Sequence, residues 1–323
     1  MKAILYTKYG PPDVLELKEV EKPAPRDDEV LVKVHAASVN AYDWHFLSAD
    51  IFVIRFVDGG LLKPKDTRLG ADIAGRVEAV GKDIKQLKPG DEVFGEARYG
   101  KGGFAEYVCA CENALALKPA NLSFEESAAA PMAALTALQG LRDQGQIQPG
   151  KKVLIQGASG GVGTFAVQIA KSLGAEVTAV CSPRNLDQAR SIGADHVIDY
   201  TKEDFTQSGQ QYDLIFAANG YHPISAYKRA LTPKGIYVMA GGTMAQLFQA
   251  VVMGSWMSET GGRKMGPVSA KTNLEDLLVI KGLLETGKVV SVIDKRFTLR
   301  ETPEALRYLG AGHARGKVVI TVE

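Results

Sequence analysis

A glycine-rich segment, QGASGGVG at residues 156–163, is the part of the sequence whose chemistry is easiest to interpret. It separates an apolar run typical of a strand from a run typical of a helix, which is the context of a dinucleotide phosphate loop. Gly160 lets the backbone approach a pyrophosphate, Gly163 allows close packing of helix on strand, and the helix N-terminus attracts the anion. Ala158 stands where the first glycine is usual. The loop residues predicted to contact the cofactor are Ser159, Gly160, Gly161, Val162 and Gly163.

A second interpretation of the same residues comes from another class of enzyme. Residues 157–161 also match GxSxG, the nucleophile elbow of α/β-hydrolases, which likewise lies between a strand and a helix. Ser159 would then be a nucleophile that needs a downstream acid and a histidine, and His196, His222 and His313 are available. Gly163 and the end of the next strand favour a nucleotide, and a serine hydrolase stays the alternative.

The end of the next predicted strand, EVTAVC at residues 176–181, distinguishes between the two nicotinamide cofactors. An NAD site usually has an acid there, which holds the ribose 2′-hydroxyl. This strand is followed by Ser182 and Arg184 with no acid at its tip, and a hydroxyl with a guanidinium suits a 2′-phosphate. We therefore predict NADPH rather than NADH; a solvated Arg184 is the alternative.

Side chains that could hold a catalytic zinc are replaced in the first part of the chain. Zinc alcohol dehydrogenases supply a cysteine and a Gly-His-Glu motif, and the corresponding stretches here are SVNAYDW (38–44) and GAD (70–72). Asn40 stands in place of the cysteine and Ala71 in place of the histidine, which removes the thiolate and imidazole ligands. No lysine lies four residues after any tyrosine, so a Tyr-xxx-Lys pair is also excluded. We predict no bound metal.

The missing metal restricts the reaction. Reduction of a simple ketone concentrates charge on one alkoxide, which an electrophile must stabilise. Hydride addition to an enone, or reduction of a quinone, spreads the charge over an enolate or a quinol, so hydrogen-bond donors and water suffice. The predicted substrate is a small apolar conjugated carbonyl or quinone. A zinc-free alcohol or carbonyl dehydrogenase is the alternative within this fold.

The predicted secondary structure that must position these groups changes along the chain, from mainly strands to alternating strands and helices. Up to about residue 120, short β-branched or alternating runs between Gly, Pro and Asp indicate a β-rich, barrel-like domain. From about residue 123 strands and helices alternate, which predicts a doubly wound parallel sheet. After about residue 272 a helix and the strands VVSVI and KVVITV return to the first domain. The predicted fold class is α/β, with domains at 1–122 plus 272–323 and at 123–271.

Three local patterns give more specific predictions. Ser123 and Glu126 form a capping box before an Ala-rich helix, which should be interrupted near Pro131. Asn185 is predicted to cap the helix that follows the second strand of the parallel sheet. The apolar segment 244–257 is interpreted as a wall of the substrate pocket, with a subunit interface or membrane contact as alternatives.

Composition and charge exclude several kinds of partner. The net charge of +1 gives no overall field to attract nucleic acid. Neither a signal peptide nor a run of about 20 apolar residues that could span a membrane is present. Three cysteines without a CxxC pair provide no disulfide framework. We expect a cytoplasmic homodimer; a removed transit peptide would leave no trace in the sequence.

With these motifs assembled, the chain resembles the zinc-free, quinone oxidoreductase-like branch of the medium-chain dehydrogenase/reductase family. The resemblance implies a GroES-like first domain, a Rossmann second domain and NADPH-dependent activity on quinones or enones. A protein that binds NADPH without catalysis, as some crystallins of the family do, is a further alternative. The similarity runs nearly from end to end, through SVNAYDW, GADIAGRVEAVG, KPGDEVFG, GGFAEYV, AAAPMAALTALQGL, GASGGVG, CSPRN, GADHVIDY and ARGKVVI.

The resemblance also implies individual site residues. Asn40, Tyr42 and Asp43 would be the catalytic group near the nicotinamide and the substrate, with Asn40 closest to the reacting atoms. Asp43 fixing its own loop is the alternative for that acid, and a solvated side chain is the alternative for Lys317. Beyond the glycine-rich loop, Ser182 and Arg184, the implied cofactor contacts are Thr136, Tyr200, Asn219, Gly220, Gly241, Gly242 and Lys317.

Overall fold

A computed structural model describes residues 1–50, 60–242 and 264–322 of the 323-residue chain. The chain forms two compact units, each with its own interior. The first unit comprises Met1–Ala133, Thr272–Thr286 and Ser291–Glu323, and the second comprises Ala134–Lys271 and Gly287–Val290. The apolar segment 244–257, interpreted above as a pocket wall, lies outside the described residues.

The first unit begins as a β-rich structure whose longest strand is buried on both faces. In the strand that starts at Glu29, Val30, Leu31, Val32 and Val34 are all buried, and Lys33 is its one exposed residue. The elements are β1 Lys2–Tyr6, β2 Leu15–Glu19, β3 Glu29–Val39, α1 Ala41–Ser48, β4 Asp72–Val80, β5 Glu92–Glu96, β6 Tyr107–Cys111, β7 Leu115–Leu117 and α2 Phe124–Ala128.

The first unit extends further along the chain than the predicted boundary at residue 122. Helix α2 packs against β3 and β4, so it belongs to the first unit, which ends at Ala133. The predicted capping box forms at its start: Ser123 N donates to Glu126 Oε2 at 2.9 Å, and Glu126 N donates to Ser123 Oγ at 3.2 Å. The next helix, α3, begins at Pro131, so the predicted interruption near this proline is confirmed.

The second unit is a sheet of six parallel strands in the order β10-β9-β8-β11-β12-β13. The chain moves outward from β8 to β10, then returns to the other side of β8 and continues outward to β13. This is the strand order of a Rossmann fold, and ligands of such sheets bind at the carboxyl ends of the strands beside the reversal. Its elements are α3 Pro131–Gln139, β8 Lys152–Gln156, α4 Gly161–Ser172, β9 Glu176–Cys181, α5 Leu186–Ser191, β10 His196–Asp199, β11 Tyr212–Ala217, α6 Ile224–Ala230, β12 Leu231–Met239 and β13 Lys264–Pro267.

The C-terminal elements belong to the first unit. They are α7 Leu274–Glu285, β14 Ile293–Thr298, α8 Thr302–Gly310 and β15 Lys317–Thr321. They extend its main sheet, which has the order β14-β15-β3-β4-β5-β7, with β6 paired to β3. The strand predicted over VVSVI (289–293) is wrong, because β14 begins only at Ile293 and Val289 and Val290 belong to the second unit.

Two further observations concern the cysteines and the helices. Cys109, Cys111 and Cys181 are all free thiols, and burial raises the pKa of each. In the described part of the chain, no helix combines the length and the apolar character that crossing a bilayer requires.

Candidate functional site

The glycine-rich segment forms a tight loop between the central strand β8 and helix α4. Strand β8 ends at Gln156, Gly157 takes a positive φ of 77°, and Gly160 is the N-cap of α4. A Cβ added at Gly163 would lie 2.0 Å from the carbonyl oxygen of Gly157, so close packing of the helix on the loop requires glycine there. Among the described residues, the nearest atom to a Cβ added at Gly160 would be the carbonyl oxygen of Gly157, at 3.6 Å. The protein's own packing therefore leaves room beside Gly160, as a ligand that approaches the backbone needs.

The loops that follow β11 and β12 lie at the same edge of the sheet. A Cβ at Gly157 would be 3.0 Å from both N and Cβ of Asn219, so the loops after β8 and β11 touch. Gly220 N donates to the carbonyl of Gly241 at 3.0 Å, and Gly220 pairs with Gly242 in a parallel bridge. The structure thus brings these predicted cofactor contacts together at the carboxyl edge. Thr136 lies half-buried on α3.

Ser159 has a partner that a catalytic serine would not have. Its hydroxyl oxygen accepts a hydrogen bond from Asn185 Nδ2 at 2.9 Å, and no imidazole contacts it among the described residues. His196 instead pairs with Glu176 at 3.0 Å, and His222 lies 3.8 Å from Asp204. The serine hydrolase alternative therefore lacks the base that its mechanism needs.

Asn185 has a role that the sequence did not predict. Its side chain does not cap α5, so that prediction is wrong. The amide is buried, and its Nδ2 donates to Ser159 Oγ at 2.9 Å and to Ser182 Oγ at 3.0 Å. In the sequence, Asn185 is recognisable only as the last residue of the segment CSPRN. That segment gives no sign that the amide of Asn185 joins the loops after β8 and β9.

The ends of β9 and β10 carry the groups predicted to bind a 2′-phosphate. Ser182 is half-buried, and Arg184 and Tyr200 are exposed, with the ring of Tyr200 edge-on to Tyr221 at a centroid distance of 6.1 Å. None of these residues is acidic. Ser182 and Arg184 give the end of β9 one hydroxyl and one cation, whereas a 2′-hydroxyl site usually presents a carboxylate.

An acid nevertheless stands at the end of the neighbouring strand. Asp199 of β10 is in register with Cys181, the last residue of β9. Its Oδ1 accepts hydrogen bonds from Thr201 N at 2.9 Å and from Thr201 Oγ1 at 2.7 Å, which hold the pKa of Asp199 below its usual value. Both hydrogen bonds to this oxygen therefore come from the turn after β10. The predicted absence of an acid concerns the tip of β9, and Asp199 lies at the end of the next strand outward.

In the first unit, strand ends bring together a buried polar cluster of Ser38, Asn40, Asp72 and Lys317. Ser38 and Asp72 are cross-strand partners of β3 and β4, and Lys317 opens β15 beside them. Lys317 Nζ donates to Asn40 Oδ1 and lies 3.4 Å from Asp72 Oδ2. The Asp72 oxygen also accepts from Asn40 Nδ2 at 2.9 Å and from Ser38 Oγ at 2.7 Å. A buried ammonium is thereby paired with a buried carboxylate, as burial of either charge requires.

This cluster bears on two predicted site residues. The side chain of Lys317 is only 3% exposed, so the alternative of a solvated lysine is wrong. Asn40 uses its carbonyl oxygen on Lys317 and its amide nitrogen on Asp72. It therefore holds the two charges in place, and direct contact of Asn40 with a substrate, or of Lys317 with a cofactor, stays a prediction.

Asp43 is fully buried at the start of α1, and its carboxyl group accepts hydrogen bonds from two backbone N–H groups. Its Oδ2 accepts from Asn40 N at 2.8 Å and its Oδ1 from Gly70 N at 2.9 Å. Burial raises the pKa of Asp43 to about 7, although both hydrogen bonds favour the charged form. With no exposed surface, Asp43 fixes its own loop in this structure, and its role as a catalytic residue stays a prediction.

Tyr42 and Glu96 complete the polar groups of this region. Tyr42 is half-buried, and its hydroxyl donates to the carbonyl of Tyr99 at 3.3 Å. Burial, together with the nearby charge of Asp72, raises the pKa of Glu96 to about 7. Over residues 1–50, 60–242 and 264–322, no group of three or more His, Cys, Asp or Glu side chains is placed to hold a metal ion.

Comparison with known proteins gives the family. Residues 26–120 match the family model of the alcohol dehydrogenase GroES-like domain, and residues 192–320 match that of zinc-binding dehydrogenase. A chloroplastic quinone-oxidoreductase homologue of Spinacia oleracea is 34% identical over 99% of this chain and 98% of its own length. The chain belongs to the quinone oxidoreductase-like branch of the medium-chain dehydrogenase/reductase family.

Two other members of the family illustrate the range of similar proteins. An NADPH-dependent alkenal/one oxidoreductase of Arabidopsis thaliana, which is chloroplastic, is 34% identical over 99% of this chain and 79% of its own. The solved structure of the quinone oxidoreductase from Coxiella burnetii superposes with a TM-score of 0.90 at 32% identity, covering 100% of this chain and 99% of that one. The predicted family and its combination of a GroES-like domain with a parallel α/β sheet are therefore confirmed, and the chain is an oxidoreductase.

Proposed function

We propose that this oxidoreductase uses NADPH, without zinc, to reduce a small apolar quinone or α,β-unsaturated carbonyl. The observation that carries the proposal is the carboxyl edge of the parallel sheet. There the tight loop at 157–163 adjoins a strand end that offers Ser182 and Arg184 instead of an acid. The names of the relatives, a quinone oxidoreductase and an NADPH-dependent alkenal/one oxidoreductase, support the same substrate and cofactor classes.

The residues of the second unit fit a dinucleotide. The N-terminus of α4 presents backbone N–H groups to a pyrophosphate, and the open space at Gly160 allows that approach. Ser182, Arg184 and Tyr200 would hold the 2′-phosphate, and the loops at 219–220 and 241–242 would line the remainder of the cofactor. Bound NADPH supplies the hydride. The chain's own residues bind and orient the cofactor at this edge of the sheet.

Zinc independence is supported by the first unit. Asn40 and Ala71 stand where zinc dehydrogenases have a cysteine and a histidine, and Asn40 is hydrogen-bonded to Lys317 and Asp72. A buried ammonium at this position opposes the binding of a second cation. The family model described as zinc-binding dehydrogenase covers residues 192–320, which do not include either position.

Oxidation of NADPH and of NADH against a panel of acceptors tests the proposal. The panel holds a simple ketone, an alkenal, a bulky enone and a benzoquinone, each with and without a metal chelator. We expect turnover of the conjugated acceptors, preference for NADPH and no effect of the chelator. Ketone turnover that is lost on chelation would show a metal enzyme, and tight NADPH binding without any turnover would show a non-catalytic protein.

The choice of cofactor can be tested separately through Arg184. Replacement by Ala removes one hydrogen bond to a charged phosphate, which contributes about 1.5–3 kcal/mol, equivalent to roughly a 10- to 150-fold change in affinity. We expect Arg184→Ala to reduce kcat/KM for NADPH by that factor and to leave kcat/KM for NADH unchanged. Arg190→Ala is the control, because Arg190 is a neighbouring exposed arginine that pairs with Asp187 at 2.8 Å. Equal efficiency of the wild-type protein with both cofactors would contradict the prediction.

A further inference from the structure

We propose that Asn185 is a positioning residue for the cofactor phosphates: its amide turns the hydroxyl protons of Ser159 and Ser182 toward them. This inference rests on the proposed NADPH-dependent function. The three side chains come from three segments: Ser159 from the loop after β8, Ser182 from the end of β9, and Asn185 from the turn before α5. One buried amide therefore joins the predicted pyrophosphate site to the predicted 2′-phosphate site.

The geometry of the amide limits what each hydroxyl can do. An amide nitrogen is a donor with two hydrogens, whereas a serine hydroxyl has one hydrogen and two acceptor lone pairs. Asn185 Nδ2 donates to both serine oxygens, at 2.9 and 3.0 Å. Each serine thus accepts from Asn185, and its own hydrogen must point elsewhere. Among the described residues, neither hydroxyl donates to an acceptor of the chain.

Those two hydrogens match the chemistry of a phosphate, whose oxygens only accept hydrogen bonds. Asn185 itself is 3% exposed, so solvent does not compete for its amide. On the other side of the amide, Oδ1 is buried and has no hydrogen-bond partner among the described residues. Leaving an acceptor unsatisfied costs free energy, and the arrangement places both Nδ2 hydrogens on the serines despite that cost.

An aspartate at position 185 distinguishes this role from a structural link between two loops. A carboxylate has nearly the shape of the amide but only accepts, so it would take both serine protons for itself and add a negative charge beside the phosphates. Asn185→Asp would nevertheless keep the link between the loops after β8 and β9. Alanine would break the link and leave both serine protons available to the cofactor. A positioning role thus predicts that Asp weakens NADPH binding more than Ala does, and a structural role predicts the opposite order.

The experiment measures the dissociation constants of the full-length protein for NADPH, NADH and 2′,5′-ADP by calorimetry, with melting temperatures beside them. Each hydrogen bond to a charged phosphate corresponds to roughly a 10- to 150-fold change in Kd. We expect Asn185→Asp to raise the Kd for NADPH by at least about 100-fold through the loss of two such bonds, and the Kd for NADH by less. Asn185→Ala should raise the Kd for NADPH by about 10-fold or less. Gln210→Glu, an exposed amide-to-acid change before the amino end of β11, controls for the change in net charge alone.

The outcomes separate this inference from the proposed function. Wild-type affinity for NADPH retained in Asn185→Asp, or a weaker affinity in Asn185→Ala than in Asn185→Asp, would overturn the positioning role alone. A wild-type protein without affinity for NADPH would overturn the function and this role together. Should Asn185→Asp fail to fold, Ser182→Ala and Asn185→Ala are combined. Their effects on the Kd for NADPH should then be less than additive, and full additivity would contradict the proposal.

Discussion

Replacement of Asp43 by Ala is expected to lower the free energy of unfolding by about 2–4 kcal/mol, because a buried donor left without its acceptor costs about 1–3 kcal/mol. Two such donors depend on this carboxyl: Asn40 N at 2.8 Å and Gly70 N at 2.9 Å. They lie 30 residues apart in the chain (70 − 40), so Asp43 fixes the start of α1 to the segment that leads into β4.

The loss of stability in Asp43→Ala should depend on pH. The pKa of Asp43 determines whether the loss grows or shrinks as the pH rises. Burial raises this pKa in the folded state to about 7, from an ordinary value of 3.8. Between these values the folded protein keeps a proton that the unfolded chain has released, so its stability falls as the pH rises through that interval. Asp43→Ala lacks this titration. The difference in stability between wild type and variant should therefore be larger near about pH 5.5 than near about pH 8.5.

Chemical denaturation of both proteins at the two pH values measures this effect. The matched control is Asp187→Ala, because Asp187 is a fully exposed acid that pairs with Arg190 on α5. Its stability should change by less than about 0.5 kcal/mol, as is usual for exposed positions. Equal stability of wild type and Asp43→Ala at the lower pH would show that the two backbone donors do not depend on this carboxyl.

The parts of the fold that sequence predicts well are those whose causes are local. Strands β8 and β11 are continuous apolar runs because both faces of a parallel strand are covered, and the runs match the observed bounds closely. Strand β13, Lys264–Pro267, was missed, since a four-residue segment with Gly and Pro lacks that pattern. The unit boundary was placed too early because the capping box at Ser123 marks where α2 begins, whereas packing on β3 and β4 decides the unit to which it belongs.

The two candidate sites also differ in whether their residues are close together in the sequence. The phosphate loop is contiguous, so its glycines and the strand and helix beside it can be recognised from sequence. The cluster in the first unit joins Lys317 to Asn40, 277 positions away, and to Asp72, 245 positions away. Such a cluster appears only when β3, β4 and β15 are aligned, because each member alone looks like an ordinary polar residue at the end of a strand.

The prediction with the largest effect on cofactor binding compares two glycines of the loop. In Gly163→Ala the new Cβ would lie 2.0 Å from the carbonyl oxygen of Gly157 and 2.8 Å from Cα of Ala158, both backbone atoms that must move. Overpacking of this kind costs about 1–3 kcal/mol of stability. Displacement of this backbone would break hydrogen bonds between the loop and the pyrophosphate, each of which corresponds to roughly a 10- to 150-fold change in affinity. We therefore expect the Kd for NADPH to rise by at least about 100-fold through the loss of two such bonds.

Gly160→Ala is the matched variant, because a Cβ there lies 3.6 Å from the nearest atom in the described part of the chain and the N-cap φ of −80° suits alanine. Its stability should fall by about 1 kcal/mol or less, because alanine is a poorer N-cap than glycine. Its Kd for NADPH should nevertheless rise by about 10-fold or more, since the methyl group would occupy the space that the pyrophosphate needs beside the backbone. A large loss of NADPH affinity with only a small loss of stability at residue 160, against a large loss of both at residue 163, is the result that a phosphate loop requires. Wild-type affinity in Gly160→Ala would mean that no cofactor phosphate approaches this backbone, and the assignment of the loop would fail.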